Sequence, residues 1–450
     1  MILIPAFQNK RVVVIGLGRT GLSVVRALQS SGATVIAWDD QKTNALSSLD
    51  QIEWDQVDAL ILSPGIPHQH PQPHPAVVYA RQHHIPLICD IDLLAQAIPN
   101  ARFIGITGTN GKSTTTALLG HVMQAIQVPS QVGGNIGVPV LELDPFSGEG
   151  WYILELSSYQ LERAPHLSVD TAIWVNMTPD HLERHGDLKG YVAAKAHIFR
   201  PVGQAQNIAI SIDDVESAQM YEKLCQDPAK VVVPVSLTIE LPKGVFVRNG
   251  VLVDSYFSHS EILDLRTLSG LKGSHNWQNI ALAYAAIHLE NFSFDLDALR
   301  AFKGLAHRQE VCGQKGATQF INDSKATNIE STLKALSSYD NIYLILGGLP
   351  KESMLDGIET YKDRIQGIYL IGQAAQAFAE ILKKQGIPYK QCGVLKAAVE
   401  QAIHDSNASP LTPKTILLSP ACASFDQFKD FEQRGQQFKE IVTELLKKAS

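Results

Sequence analysis

Ile104-Gly-Ile-Thr-Gly108-Thr-Asn-Gly111-Lys112-Ser113-Thr114 lies between an apolar run, Arg102 to Ile106, and a helix-like stretch, Thr115 to Gln124. Strand, glycine turn and helix in that order are the setting of a phosphate-binding loop. The glycines let backbone N–H groups turn inward around phosphate oxygens, and the helix N-terminus adds its dipole. Lys112 is placed to reach the terminal phosphates and Ser113 to ligate magnesium, so ATP is the expected nucleotide. Position 106 is isoleucine where the standard pattern has its first glycine, so the spacing departs from the usual one. The bland alternative is a glycine-rich turn without function, which leaves Gly-Lys-Ser at a strand-to-helix junction unexplained.

Such loops also serve switches, kinases and motors, so the neighbouring strands carry the next step. Trp151-Tyr-Ile-Leu-Glu155 ends in a carboxylate and runs into Leu-Ser-Ser-Tyr-Gln-Leu-Glu162. A carboxylate at the carboxyl end of a strand beside a P-loop sits where a metal-phosphate complex would be held. A plain helix cap is the other reading of Glu155. Asn176-Met-Thr-Pro-Asp-His181-Leu-Glu-Arg-His-Gly follows the strand Thr171 to Val175 and makes His181 a candidate ligand or electrostatic anchor, set against a purely structural loop histidine. Lys195, in Tyr191-Val-Ala-Ala-Lys-Ala-His-Ile-Phe199, reads by spacing alone as a solvated helical lysine.

Strands and helices alternate on both sides of this centre. Arg11-Val-Val-Val-Ile15, a glycine turn, a helix from Leu22 to Ser30, and strands at Thr34 to Trp38, Ala59 to Leu62 and Pro86 to Cys89 predict a parallel sheet, with a boundary near Pro99-Asn100. The central unit adds Gly244-Val-Phe-Val-Arg-Asn-Gly-Val-Leu-Val253, an antiparallel hairpin signal because both Asn249 and Gly250 tolerate positive φ. From about Gly304, strands at 317–321, 341–346, 367–371 and 414–418 alternate with helices again. The expected fold is α/β in three domains: an N-terminal Rossmann-like domain (1–98), a central P-loop ATPase-like domain with a mostly parallel sheet and an antiparallel elaboration (99–304), and a C-terminal Rossmann-like domain (305–450).

Gly16-x-Gly18-x-x-Gly21, with Asp39 closing the next strand, fits a dinucleotide fingerprint and by itself would suggest a nicotinamide cofactor. The same turn can hold any pyrophosphate at a helix N-terminus. The histidines 68, 70, 74, 83 and 84 are interrupted by prolines, keep no helical ligand spacing, and read as a surface loop.

Composition narrows the class. A chain of 450 residues exceeds one hydrophobic core and suggests roughly two to four compact units. Hydrophobic residues at 45% and charged residues at 18% describe an ordinary globular balance, and a net charge of −7 gives no basic field for nucleic acid. The five cysteines lie far apart without Cys-x-x-Cys spacing, which argues against a zinc site or a disulfide framework and for a reducing compartment. There is no leader-like start and no run of about 18 apolar residues, so the expectation is a cytoplasmic protein without membrane insertion.

Taken together, residues 107–114, 155–162, 176–185 and 191–195 resemble the central domain of the Mur ligase family, and the likeness extends over nearly the whole chain. These three-domain enzymes, like their relative folylpolyglutamate synthase, add an amino acid to a carboxylate activated as an acyl phosphate. The resemblance implies ATP, two Mg2+ ions, and a metal set of Ser113, Glu155, His181 and Lys195, the lysine as a carbamate. Ile321-Asn-Asp-Ser-Lys-Ala-Thr-Asn328, Leu305-Ala-His-Arg308, Leu346-Gly-Gly-Leu-Pro-Lys351 and Leu418 to Phe431 are similar to the branch that joins D-glutamate to UDP-N-acetylmuramoyl-L-alanine.

By the same resemblance ATP would meet Gly108, Thr109, Asn110, Gly111, Lys112, Ser113, Thr114, Asn276, Asn279, His307, Arg308 and Asp323. D-Glutamate would meet Lys325, Thr327, Lys351, Ser424 and Phe431. The UDP-substrate would be held by Gly18, Arg19, Thr20, Asp39 and Asp40, with Asn135 touching its muramoyl-alanine part. Lys112, His181, Lys195, Arg308 and Lys351 would serve catalysis. A monomer is the default.

Overall fold

The computed structural model describes every residue except 42–45, 201–204, 269, 272, 351–354 and 448–450, so Lys351 lies outside the described residues. The chain divides into two compact units, Met1–Thr267 with Asn276–Leu299, and Leu268–His275 with Arg300–Ser450.

The first unit holds two sheets. In the smaller, four parallel strands run in the order Thr34–Trp38, Arg11–Ile15, Ala59–Leu62, Leu87–Ile88. Successive side chains of a strand point to opposite faces. Val12, Val14, Ala59 and Ile61 therefore join one core while Val13, Ile15, Leu60 and Leu62 join another. Burial on both faces is what an all-parallel sheet requires, and it explains the unbroken apolar runs in the sequence.

The larger sheet has nine strands in the order Ser260–Asp264, Val251–Asp254, Val245–Arg248, Lys230–Ser236, Gln206–Ser211, Thr171–Trp174, Arg102–Thr107, Trp151–Glu155, Ser130–Gly134. Only the pairings of Val251–Asp254 with its two neighbours are antiparallel. Arg248 pairs with Val251 across the two-residue turn Asn249-Gly250, whose φ values of +51° and +82° are those the hairpin reading needed. Strand Arg102–Thr107 sits between Trp151–Glu155 and Thr171–Trp174, because the chain leaves it toward one edge and returns on its other side. Such a switch opens a crevice at the carboxyl ends of the strands, where Thr107, Glu155 and Trp174 end.

The second unit carries six strands, ordered Glu310–Lys315, Thr318–Asn322, Lys414–Leu418, Ile342–Gly347, Ile365–Ile371, Tyr389–Gly393, of which only the first pair is antiparallel. Helices Ile329–Ser337, Ala375–Gln385, Leu395–Ala408 and Phe431–Lys447 supply its covering layers, and again two cores form, one on each face. The strands Ser130–Gly134, Gln206–Ser211, Lys230–Ser236, Ser260–Asp264, Glu310–Lys315 and Tyr389–Gly393 are additions to those read from the sequence. No helix among the described residues is long and apolar enough to cross a membrane.

Candidate active site at the carboxyl ends of the central strands

The P-loop leaves strand Arg102–Thr107 and enters helix Lys112–Ala125, three residues earlier than the periodicity suggested. Its glycines are there for space as well as for φ. Gly108 (φ +145°) lies against Val175 and Asn176, and a Cβ on Gly111 (φ +87°) would stand 2.3 Å from Asn279 Oδ1. The loop is tied from outside: Asn110 N–H donates to Asn176 Oδ1 (2.9 Å), Thr109 N–H to Asn176 O (2.9 Å), and Thr109 Oγ1 to Thr178 O (3.0 Å). Thr115 Oγ1 donates to Asn279 Oδ1 (3.2 Å), and Asn279 Nδ2 to Asn276 Oδ1 (3.2 Å). Both asparagines expected at the nucleotide are thus brought to the loop. Asn176, quoted in a motif but given no role, proves to be its main brace, with Nδ2 fixed on Gln278 Oε1 (2.9 Å).

Glu155 is 2% exposed. Its Oε1 accepts from Asn135 Nδ2 (2.8 Å), while its Oε2, also buried, has no hydrogen-bond partner among the described residues. The helix-cap reading of Glu155 does not hold, because Ser157 caps Ser158–Leu161 in a capping box with Gln160. A buried carboxylate oxygen without a donor is costly unless a cation satisfies it. Asn135 stands at this carboxylate, and its backbone N–H donates to Glu155 O (2.9 Å).

Lys195 is not a solvated lysine. It is 2% exposed, and its Nζ donates to Gly108 O (2.9 Å) and lies 4.8 Å from the centre of the Tyr191 ring. Lys112 Nζ donates to the same Gly108 O (2.8 Å) and to Thr109 O (2.8 Å). Burial, reinforced by the Lys112 charge, pushes the Lys195 amine well below its usual basicity, against the pull of Asp180 and Glu155. His181, in the left-handed region at φ +53°, lies against Tyr159 with ring centres 5.2 Å apart. Burial lowers its pKa, with Asp180 and Glu183 opposing and Lys195 and Lys112 adding to the fall.

In the smaller sheet, Gly16 takes φ +87° and Gly21 approaches Gly16 O so closely that a Cβ would sit 1.8 Å from it. Gly18 caps helix Arg19–Ser30, which begins with exposed Arg19 and then Thr20. Asp39 Oδ2 accepts from Leu17 N–H (2.6 Å), clamping the turn, and Asp40 pairs with His74 Nε2 (3.0 Å). The surface-loop reading of the histidines needs correction at two positions. His74 is buried and caps helix Pro75–Gln82, and His68 is partly buried beside Glu162, with its pKa lowered to about 4 by burial and nearby arginines.

In the second unit, Asp323 accepts from Ser419 Oγ (2.8 Å) and Gln309 N–H (3.2 Å), and burial pushes its carboxyl up to about 7 against the pull of Arg308. His307 Nδ1 lies 2.9 Å from Asn322 Nδ2, and Lys325 Nζ stands 3.7 Å from the Phe431 ring centre. Ser424 is buried and Thr327 half-buried. Arg434, fully buried and missed in the sequence, donates to Ser324 Oγ (3.0 Å) and O (2.9 Å), Cys422 O (3.1 Å) and Ala423 O (3.3 Å), drawing these segments together. Its only signal was an arginine in the first turns of an amphipathic helix.

Among the described residues no group of three or more His, Cys, Asp or Glu side chains could hold a metal. The orphaned Glu155 Oε2 nevertheless suits a cation that brings phosphate oxygens as its remaining ligands, as Mg2+ does.

A braced P-loop at a topological switch, with a buried carboxylate and a buried, weakly basic lysine beside it, places the chain in the class of nucleotide-dependent α/β enzymes. Family models described as the Mur ligase middle domain and the Mur ligase MurD-like N-terminal domain match residues 106–287 and 10–89. A UDP-N-acetylmuramoylalanine--D-glutamate ligase of Rhodospirillum rubrum is 44% identical, the alignment covering 98% of this chain and 97% of that one. The protein of the same name from Paramagnetospirillum magneticum is 43% identical, with 98% of each covered. In fold the chain is similar to the crystal structure of UDP-N-acetylmuramate-alanine ligase from Thermotoga maritima (TM-score 0.63, 16% identity, 96% and 99% covered). The chain belongs to the Mur ligase family, among the UDP-N-acetylmuramoylalanine--D-glutamate ligases.

Proposed function

We propose that the protein joins D-glutamate to UDP-N-acetylmuramoyl-L-alanine at the expense of ATP, as a cytoplasmic monomer in peptidoglycan precursor synthesis. An oxygen of the alanyl carboxylate attacks the γ-phosphorus, the bond to the bridging oxygen breaks, and ADP leaves with that electron pair. The D-glutamate amine then attacks the acyl carbon, the carbon–oxygen bond to phosphate breaks, and the amine gives up a proton as the amide forms. The observation that carries the phosphoryl-transfer half is the buried Glu155 Oε2, without a hydrogen-bond partner among the described residues, beside the P-loop strand, Glu155 being paired in register with Ile106.

In this reading Lys112 moves from the loop carbonyls onto the terminal phosphates, and the N–H groups at the start of helix Lys112–Ala125 cradle them. Ser113, Glu155 and His181 would hold up to two Mg2+, which neutralise charge on the phosphates. Lys195 suits a carbamate, since only a neutral amine adds to carbon dioxide and burial weakens this amine's hold on its proton; the carbamate would put an anion in place of the amine. Residues 1–98 act as the UDP-substrate domain, with Gly18, Arg19, Thr20, Asp39 and Asp40 at the glycine turn and Asn135 at the muramoyl-alanine end. Residues 99–304 act as the ATP domain, and 305–450 as the D-glutamate domain through Lys325, Thr327, Lys351, Ser424 and Phe431. His307, Arg308 and Asp323 would serve the nucleotide from that domain, with Arg308 stabilising developing charge.

The test is phosphate release with ATP, magnesium and UDP-N-acetylmuramoyl-L-alanine. Release is expected with D-glutamate and not with L-glutamate, L-lysine or L-alanine. Release with another amino acid would move the chain to another branch, and ATP hydrolysis indifferent to both substrates would end the ligase reading.

A further inference from the structure

The segment Ser63-Pro-Gly-Ile66 follows the strand Ala59–Leu62 and closes over the first glycine turn. Ser63 Oγ donates to Gly16 O (2.6 Å), and a Cβ on Gly16 would stand 3.0 Å from Ser63 Cβ and 3.1 Å from Ile66 Cγ1. The shape of the turn thus depends on where this segment lies. Two arginines that the mechanism leaves unused also hold the segment: one directly follows the motif that carries Glu155, and the other lies within the motif that carries His181.

Arg163 stands one residue beyond Glu162 and is 2% exposed. Its Nε donates to Tyr159 O (2.9 Å), and its two terminal nitrogens reach Ser63 O and Pro64 O (3.4 Å each). Arg184, three residues beyond His181, donates to Gly65 O (2.9 Å) and Ile66 O (3.1 Å), and its guanidinium lies 4.6 Å from the centre of the Tyr159 ring. Tyr159 lies in turn against His181 and His185. Four successive carbonyls of the segment are therefore held by two cations whose own chain positions are set by the phosphate-centre motifs. A planar guanidinium, charged at any working pH, spans adjacent carbonyls in a way an ammonium cannot.

We infer that Arg163 and Arg184 are positioning residues that fix the glycine turn at Gly16–Gly21 relative to the P-loop, setting the span over which a UDP-linked carboxylate substrate must reach the γ-phosphate. The inference rests on the substrate reading of the preceding subsection. Neither arginine touches the reacting atoms in this scheme. Both act through the carbonyls of residues 63–66 on the backbone that receives the pyrophosphate, so the phosphate loop itself is left as it was.

The experiment compares the wild type with Arg184→Met, Arg184→Lys and Arg163→Lys, measuring steady-state KM for each of the three substrates and nucleotide affinity directly by ADP titration. The expected result for Arg184→Met is a rise of about tenfold or more in KM for UDP-N-acetylmuramoyl-L-alanine. ADP affinity and KM for D-glutamate should stay within about twofold. Arg184→Lys should recover part of the loss, and Arg163→Lys should show the same selective pattern. Arg163 is buried, so its variant could fail to fold; Arg184 is half-buried, and the inference stands or falls on it. An unchanged KM for the UDP-substrate in Arg184→Met, or an equal loss for all three substrates together with weaker ADP binding, overturns the clamp. A wild type that turns over none of these substrates overturns the ligase reading instead, and with it the substrate on which the clamp is said to act.

Discussion

Glu155 has one oxygen committed to Asn135 and one without a hydrogen bond among the described residues, which leaves that oxygen open to a cation. Glu155→Gln keeps the acceptor for Asn135 Nδ2 and removes the charge. We expect kcat to fall about 100-fold or more while the melting temperature stays within a few degrees, because no protein partner is lost. A variant with near-normal turnover would remove Glu155 from the phosphate centre. Asp323 allows a pH test. Its folded pKa, pushed up to about 7 by burial, lies above the ordinary carboxylate value of about 3.9 in an unfolded chain. The stability it contributes is therefore complete below about pH 4 and is lost as the pH rises through 7, a swing on the order of 4 kcal/mol. Asp323→Asn should flatten that slope, so urea midpoints of variant and wild type should diverge from pH 4.5 to 7.5; parallel curves would show that Asp323 ionises normally. The sequence could name Glu155, His181 and Lys195 as candidates through the motifs around them. It could not reveal that Lys195 is buried, because the helix pattern around it has no single apolar face, nor that Arg434 reaches back 110 residues to Ser324.

At the scale of elements, the P-loop depends on a fit between two helices that are far apart in sequence. Gly111 caps the first at φ +87° and faces Asn279 of helix Ser274–Leu289. Gly111→Ala should cost about 1–3 kcal/mol of stability through the φ alone. It should also weaken ADP binding at least tenfold, because Asn279 must give way and Thr115 Oγ1, which also donates to Gly111 O (3.1 Å), then loses one of its two acceptors. Denaturant melts and ADP titration read the two effects separately, and unchanged ADP affinity would mean that the loop tolerates a different shape. Elements marked by apolar runs or turn chemistry, such as Arg11–Ile15 and the Asn249-Gly250 hairpin, were legible from the residues. Ser130–Gly134 and Tyr389–Gly393 were not: each carries glycine and polar residues and becomes a strand only through pairing with an apolar neighbour. Lys230–Ser236 contains Pro234, which in a sequence argues against a central strand, yet here it pairs opposite Ile210.

For the whole molecule, the alternation of strand and helix was enough to give three α/β sheets, since each parallel strand needs cover on both faces and so announces itself. Contacts group the chain into two compact units, the first of which holds two of the three sheets. Two compact units predict calorimetric unfolding that a single two-state transition does not fit. A non-hydrolysable ATP analogue at about 100 times its Kd should stabilise the transition that melts the nine-stranded sheet by roughly 2.7 kcal/mol. One transition, indifferent to the analogue, would contradict both the division and the placing of the nucleotide. That broad sheet has a further consequence, for how the chain behaves in company. Its outermost strands, Ser260–Asp264 on one side and Ser130–Gly134 on the other, each leave a row of backbone groups without a neighbouring strand of the sheet among the described residues. Glu261 and Asp264 put charge on the first, and Gly134 at φ +103° bends the second out of extended form. Both are familiar means of discouraging a neighbour's strand from adding itself. The same width that opens the crevice also makes a template for aggregation, and a few charges and one glycine at its margins stand guard over solubility.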